Sequence, residues 1–256
     1  MYSNEIRKLA RQGRSAAAIY EALAVEDIRE AADLLRPVYE ESAGADGFVS
    51  LEVSPHLAYD AEATVGEAKR LWAAVDRPNL MIKVPATPPG IAAIERLIAA
   101  GINVNVTLIF SHSCYEQVMD AYIVGLEEYA AAGGSMPGPA SVASFFVSRI
   151  DTLVDKLLGN RILAGRASGP RAPERLLGKA ALASARVAYA NFRVKFHGTR
   201  FADLRAKGAR AQRPLWASTS TKNPLYDSTL YVAPLIGRET VNTMPPATVE
   251  AWRKWG

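Results

Sequence analysis

The sequence predicts an α/β fold built on a parallel, barrel-like sheet. Three observations lead there. Helical and strand signals alternate along the chain, with six strand candidates, and alternation at this spacing means parallel βαβ units. In Ile102-Asn103-Val104-Asn105-Val106-Thr107-Leu108-Ile109-Phe110, Asn103, Asn105 and Thr107 share one face while Val104, Val106 and Leu108 share the other. A doubly wound sheet is covered on both faces and its strands run apolar throughout, whereas a strand with one polar face suits a barrel whose inner side meets a polar site. Finally, polar residues gather late in the strands or just after them: Glu52, Lys83, Thr107, Ser148, Arg149, Ser220 and Lys222. In β/α barrels and open α/β sheets alike the active site lies at that carboxyl end. Six strands are two short of a closed eight-stranded barrel.

Residues 4–40 read as helical throughout. Ile6, Leu9 and Ala10, then Ile19, Leu23 and Ala24, then Ile28, Ala31, Ala32 and Leu35 recur at helical spacing. Ser15 is the candidate N-cap, and Pro37 lies near the end of the run. The first strand signal is Gly47–Pro55, where Val49, Leu51 and Val53 alternate with Phe48, Ser50 and Glu52. Thr64–Val75 then predicts an amphipathic helix, with Thr64 as cap and Glu67 as its capping-box partner.

The next strand, Asn79–Thr87, lies between Pro78 and Pro88-Pro89-Gly90 and carries Lys83 at its centre. Lysine is almost never fully buried without a partner or a purpose. Burial of a lysine lowers its pKa and frees the amine for Schiff-base chemistry. The structural alternative is a strand-end lysine whose ammonium snorkels to solvent. Ile91–Ala100 predicts a helix closed by Gly101, followed by the alternating strand above and a long helix, Ser113–Ala131, ended by Gly133-Gly134. Ala140–Ser148 is a strand, and Arg149-Ile150-Asp151 opens a helix at once. A Gly-, Arg- and Pro-rich loop is expected between Gly159 and Pro173, a helical run over 174–196, strands at Pro214–Ser220 and Thr240–Pro245, and a helix from Thr248 to Trp255.

With 256 residues, nearly half of them apolar, the chain is long enough for one large domain or two small ones and for a sizeable core, and the unbroken strand–helix alternation leads to the expectation of a single domain over residues 1–256. No apolar run is long enough to span a bilayer and the N-terminus is polar, so no membrane association and a cytoplasmic location are expected. One cysteine, Cys114, cannot form an internal disulfide. The net charge of +4 is spread along the chain without aromatic-basic alternation, which argues against a nucleic-acid surface. His56, His112 and His197 are far apart in sequence and lack metal-ligand spacing.

The sequence resembles the transaldolase family, most closely the branch of free-standing bacterial enzymes and of transaldolase fused ahead of phosphoglucose isomerase. The residues carrying the likeness are Gly47–Pro55, Met81-Ile82-Lys83-Val84-Pro85-Ala86-Thr87, Gly101–Ser111, Ser144-Phe145-Phe146-Val147-Ser148-Arg149-Ile150-Asp151, Trp216–Pro224 and Val241-Asn242-Thr243-Met244-Pro245. The resemblance implies a (β/α)8 barrel of the class I aldolase kind. It implies a pentose phosphate pathway enzyme without cofactors that moves a dihydroxyacetone unit from sedoheptulose 7-phosphate to glyceraldehyde 3-phosphate. Lys83 falls on the Schiff-base lysine, Glu52 on the acid/base glutamate that works through a water, and Thr107 on the threonine that holds that water. Asn105 falls on an asparagine that bonds the hydroxyls of the dihydroxyacetone unit, Ser144 on a pocket serine that contacts the substrate, Phe146 on a pocket aromatic, and Arg149 and Ser218 on phosphate ligands. Ser220 and Lys222 stand near a basic family position, in a loop spelled differently. Each has a structural rival: Glu52 paired to an arginine, Thr107 as a strand former, Phe146 and Trp216 as core, Arg149 paired with Asp151 or Glu174, Asn103 tying strands together.

Two family features are absent from this sequence: a first strand with a Leu-Asp motif, whose Asp shuttles the proton in C–C cleavage, and a second with Thr-Ser-Asn-Pro. Of the helices that follow the family's last strand, only the start of the first is expected, since the sequence ends within it at Trp255-Gly256. The expectation is therefore a barrel truncated at both ends. Its two sheet edges would close on each other, stay open, or pair with a second chain as a homo-oligomer. Schiff-base chemistry is expected with much reduced turnover. The alternatives are a class I aldolase or lyase of small sugar phosphates, and an inactive or oligomerising remnant.

Overall fold

The computed structural model describes residues 2–164 and 172–255. Six strands, β1 (Val49–Glu52), β2 (Leu80–Pro85), β3 (Val104–Ile109), β4 (Ser141–Phe146), β5 (Arg213–Ala217) and β6 (Val241–Asn242), form one sheet in sequence order. Every pair is parallel. The crossovers are α3 (Ala61–Val75), α4 (Pro88–Ala99), α5 (His112–Ala131), α6 (Ser148–Leu163) with α7 (Ala180–His197) and the short α8 (Ala202–Ala206), while α9 (Pro246–Trp255) follows β6; α1 and α2 precede β1 at Ser3–Arg11 and Ala16–Glu41. This is a parallel α/β half-barrel.

The two faces of the sheet follow from the period-2 alternation of strand side chains. Leu51, Val53, Leu80, Ile82, Val84, Val104, Val106, Ala143, Phe145 and Trp216 join the helices in one buried cluster. Met81, Val142 and Leu215 form a smaller one with Phe48, Phe146 and Val241 on the other face. Trp216 is thus core, 2% exposed.

At the amino end of the strands one polar side chain sets the register. Asn103 donates to the Pro78 and Leu80 carbonyls, both at 2.9 Å, and accepts from Ala140 N at 2.8 Å. It ties β2, β3 and β4 together, the strand-linking role weighed for it above. Truncating it leaves three backbone groups unpaired, and unmet buried groups cost ~1–3 kcal/mol each. Asn103→Ala is expected to lower the unfolding free energy by about 3 kcal/mol in urea titration. A loss below about 1 kcal/mol would show that water replaces the amide there.

The sheet edges β1 and β6 do not pair with each other. Arg213 nonetheless spans them at the amino end. Its Nη1 donates to Ala45 O at 2.8 Å and Asp46 Oδ1 at 2.9 Å, while Nε and Nη2 donate to the Glu239 and Thr240 carbonyls, both at 3.3 Å. Arg210 donates to the Ala43 and Gly44 carbonyls alongside. The turn into β1 requires Gly47: its φ is +79°, and a Cβ there would lie 2.5 Å from Tyr39 N.

Several local expectations are corrected. The cap of α3 is Asp60, whose carboxylate accepts from Ala63 N at 2.9 Å. Thr64 and Glu67 form no capping box: the Thr64 hydroxyl donates to Leu57 O and Glu67 accepts from Ser54 N. Asp is as good an N-cap as Thr and sits one turn earlier. The first helical run breaks at Gly13, where φ is +75°; its second part, α2, runs through Pro37 to Glu41 in keeping with a run expected to residue 40, since only the last turn lies beyond the missing N–H. The loop expected from Gly159 starts later, after α6 ends at Leu163; residues 165–171 lie outside the described residues.

Candidate functional site

The parallel register places Glu52 beside Lys83 and Lys83 beside Asn105. Their side chains share the concave face with Met81, Val142 and Leu215, because residues two apart on a strand point the same way. Lys83 Nζ donates to Glu52 Oε2 at 3.0 Å. The two side chains are 30% and 48% exposed, so Lys83 is only partly buried: the amine lies at a solvent-reached mouth with a carboxylate on it. Among the described residues Lys83, not an arginine, is the ion-pair partner of Glu52.

A short hydrogen-bond chain lies beside the pair. Ser144 Oγ donates to Asn105 Oδ1 at 2.8 Å, and Asn105 Nδ2 donates to Ser50 Oγ at 3.0 Å. Asn105 and Ser144 are buried. The chain spans β1, β3 and β4 and fixes which way the amide points. Ser50 joins the site beyond the candidates above, and its parity with Glu52 on β1 is the sequence signal for it. Thr107, 1% exposed, precedes a break in the ladder, where the register shifts between Val106 and Ile109 and Leu108 takes φ +61°. A left-handed leucine costs of order 1–3 kcal/mol and marks a segment bent by its surroundings.

The remaining candidates gather where β4 runs into α6 and where β5 ends. Ser148, the first residue of α6, donates its N–H to Ser218 O at 3.0 Å, and their hydroxyls are 3.0 Å apart. Ser218 has φ +56°, a second strained non-glycine at the carboxyl end of the sheet. Arg149 is exposed, its Cζ 5.8 Å from the Phe146 ring centroid. Phe146 in turn lies 4.9 Å from the Phe110 ring and links this group to the concave face. Lys222 Nζ donates to Ser220 Oγ at 2.7 Å. Among the described residues neither Arg149 nor Lys222 makes an ion pair, so the pairing of Arg149 with Asp151 or Glu174 is not found. Arg149, the Ser148 and Ser218 hydroxyls and the positive end of α6 are donors suited to an anion, and Lys222 lines a hollow that Ser148 also borders.

Other sequence candidates fall elsewhere. His56 is exposed; His112 stacks on Phe145 at 5.7 Å with its Nε2 3.3 Å from Ser184 Oγ. Cys114 is half-buried, and burial pushes its thiol pKa up, away from a reactive thiolate. A cavity of about 670 Å³ opens on the concave face toward the amino ends, bounded by Met81, Val142, Arg213 and Val241. It touches Ser50 and Asn105 but not Lys83, so this hollow is not at the carboxyl mouth. Among the described residues no cluster of acidic, His and Cys side chains is arranged to hold a metal, and no helix is long and apolar enough to cross a membrane.

The Transaldolase/Fructose-6-phosphate aldolase family model matches residues 1–256. A transaldolase of Thiobacillus denitrificans is 50% identical over 255 residues, covering 100% of this chain and 69% of that protein. Saccharopolyspora erythraea transaldolase is 52% identical over 250 residues, 98% of this chain and 65% of that one. Mycobacterium tuberculosis transaldolase is 49% identical over 251 residues, again 98% and 65%. The chain thus spans about two thirds of the length of these curated relatives. With this identity along its whole length and a lysine–glutamate pair on the concave face of a parallel sheet, the chain belongs to the transaldolase/fructose-6-phosphate aldolase family.

Proposed function

We propose that this chain carries the transaldolase reaction: Schiff-base transfer of a dihydroxyacetone unit between sugar phosphates, with Lys83 as the nucleophile. The observation that carries it is the Lys83–Glu52 pair, 3.0 Å apart and open to solvent at the sheet's concave face. The Lys83 amine attacks the ketose C2 carbonyl, and loss of water leaves a protonated imine. The imine takes up the electron pair of the C3–C4 bond as it breaks and the C4 hydroxyl passes its proton to solvent water at the open mouth; an aldose leaves and an enamine stays on Lys83. Attack of the enamine on an acceptor aldose reverses these steps. Glu52 is the acid and base at the nitrogen, working through a water on Thr107. Asn105, held by Ser50 and Ser144, presents its amide to the hydroxyls of the three-carbon unit, with Phe146 as an apolar wall. Arg149, Ser218, Ser220 and Lys222 receive the phosphate. The six strands belong, on this reading, to a (β/α)8-type arrangement, which the strictly sequential parallel order supports.

The test is borohydride reduction with fructose 6-phosphate, read by peptide mass spectrometry. A reduced three-carbon adduct on Lys83 is expected, because C3–C4 cleavage leaves that fragment on the nitrogen. A folded sample that yields no adduct would overturn the proposal. A second reading, release of the three-carbon unit rather than its transfer, is favoured by the aldolases within the same family. A coupled assay for free dihydroxyacetone, with and without an acceptor aldose, separates the two.

A further inference from the structure

We propose that Asp155 and Asp151 are positioning residues for the phosphate end of the site, acting through Tyr226 and Tyr231 on the segment that carries Ser220 and Lys222. The proposal rests on the phosphate role given above to Arg149, Ser218, Ser220 and Lys222.

Asp151 and Asp155 lie one turn apart on α6, the helix that begins at Ser148 and Arg149. Each carboxylate is used twice. Asp151 Oδ1 accepts from Ala181 N at 2.8 Å and Oδ2 from the Tyr231 hydroxyl at 2.7 Å. Asp155 accepts from Gly178 N at 3.0 Å and from the Tyr226 hydroxyl at 2.7 Å. Both backbone donors precede or open α7, and both tyrosines stand in the long segment between β5 and β6. The two acids therefore pin that segment and the start of α7 to the helix that carries Arg149. Gly178 makes the approach close: its φ is +68°, and a Cβ there would lie 3.0 Å from the Tyr226 ring.

The arrangement also settles where the charge goes. Lys222 lines the same small hollow, about 170 Å³, as Asp151, Asp155, Tyr226 and Tyr231. Two carboxylates facing a lysine would ordinarily pair with it, yet Lys222 Nζ donates to Ser220 Oγ and to no carboxylate among the described residues. The tyrosine hydroxyls and backbone N–H groups already pair both carboxylates, so neither depends on the lysine for a partner. The phenols thus anchor the segment and keep its cation available to an outside anion. Charge-assisted bonds from Tyr to Asp are among the stronger neutral–charged contacts, so losing one frees the segment.

Tyr226→Phe removes one hydroxyl and leaves the ring against Gly178; Asp155→Asn keeps the shape and weakens the acceptor. The first readout is calorimetric binding of inorganic phosphate to the whole chain, which needs no Schiff base. Both variants are expected to bind phosphate about tenfold more weakly than the parent. The second readout is the concentration of ketose that half-saturates borohydride trapping. It is expected to rise about tenfold for fructose 6-phosphate and to stay unchanged for unphosphorylated fructose. A purely structural role would move both ketoses together, and that result overturns the inference. So does phosphate binding that is absent in the parent or unchanged in both variants. Phosphate binding that weakens as expected while no ketose is ever trapped would sink the Schiff-base reading and leave this one standing.

Discussion

Replacing Lys83 by arginine is expected to abolish the trapped adduct and to lower sugar-phosphate turnover at least about 10⁴-fold. A guanidinium stays protonated and forms no imine under these conditions. Arginine is the informative choice because it keeps a cation facing Glu52. The Lys83–Glu52 pair is a contact between partly exposed groups, and such pairs contribute little to stability. Lys83→Arg should therefore unfold at nearly the parent's denaturant midpoint. An inactive variant with an unchanged midpoint assigns the loss to chemistry. Retained turnover would mean that another amine forms the imine, and peptide mapping after borohydride reduction would locate it.

The largest effect on stability is expected at Trp216. The ring is 2% exposed, packs edge-on to Phe145 at 6.4 Å between centroids, and donates from its indole nitrogen to Leu235 O at 2.9 Å. Truncation to alanine removes the packed ring, leaves a cavity in the layer between sheet and helices, and strands a buried carbonyl. Trp216→Ala should cost ~3–5 kcal/mol, a fall in Tm of roughly 10 °C for a chain of this size. Trp216→Phe should recover most of the packing but not the hydrogen bond to Leu235. A Tm shift of only about 2 °C for the alanine variant would show that the layer collapses around the gap.

The strands were legible in the sequence because their alternation is local. Val49, Leu51 and Val53 against Ser50 and Glu52 announce both a strand and its two faces, and all six expected strands appear in order. Their ends were less so: β6 is only Val241–Asn242, shorter than the Thr240–Pro245 stretch expected. Helix starts were misread where several good caps compete within one turn, as with Asp60 and Thr64, since the winner depends on what each side chain meets elsewhere. Thr64 is drawn off to Leu57 O, a contact that the turn between β1 and α3 creates.

Within the site, the sequence and its family likeness singled out Lys83, Glu52, Asn105 and Ser144 as residue types at the right places on their strands. Only the sheet register decided that Glu52 abuts Lys83 and that Ser50 completes the chain through Asn105 to Ser144, because those contacts join residues 31, 55 and 39 positions apart. The same holds for the exposure of Lys83, which no strand pattern reports. A polar residue in an apolar strand says that something meets it, but its solvent access is set by how far the neighbouring strands and loops cover it. The Asp–Tyr contacts on α6 were the least legible. They link residues 80 and 71 apart, and nothing local distinguishes those acids from others on a solvated helix face. Local periodicity set which face each residue occupies; partner, exposure and free charge were set by packing, because each depends on chain segments that meet only in the folded sheet.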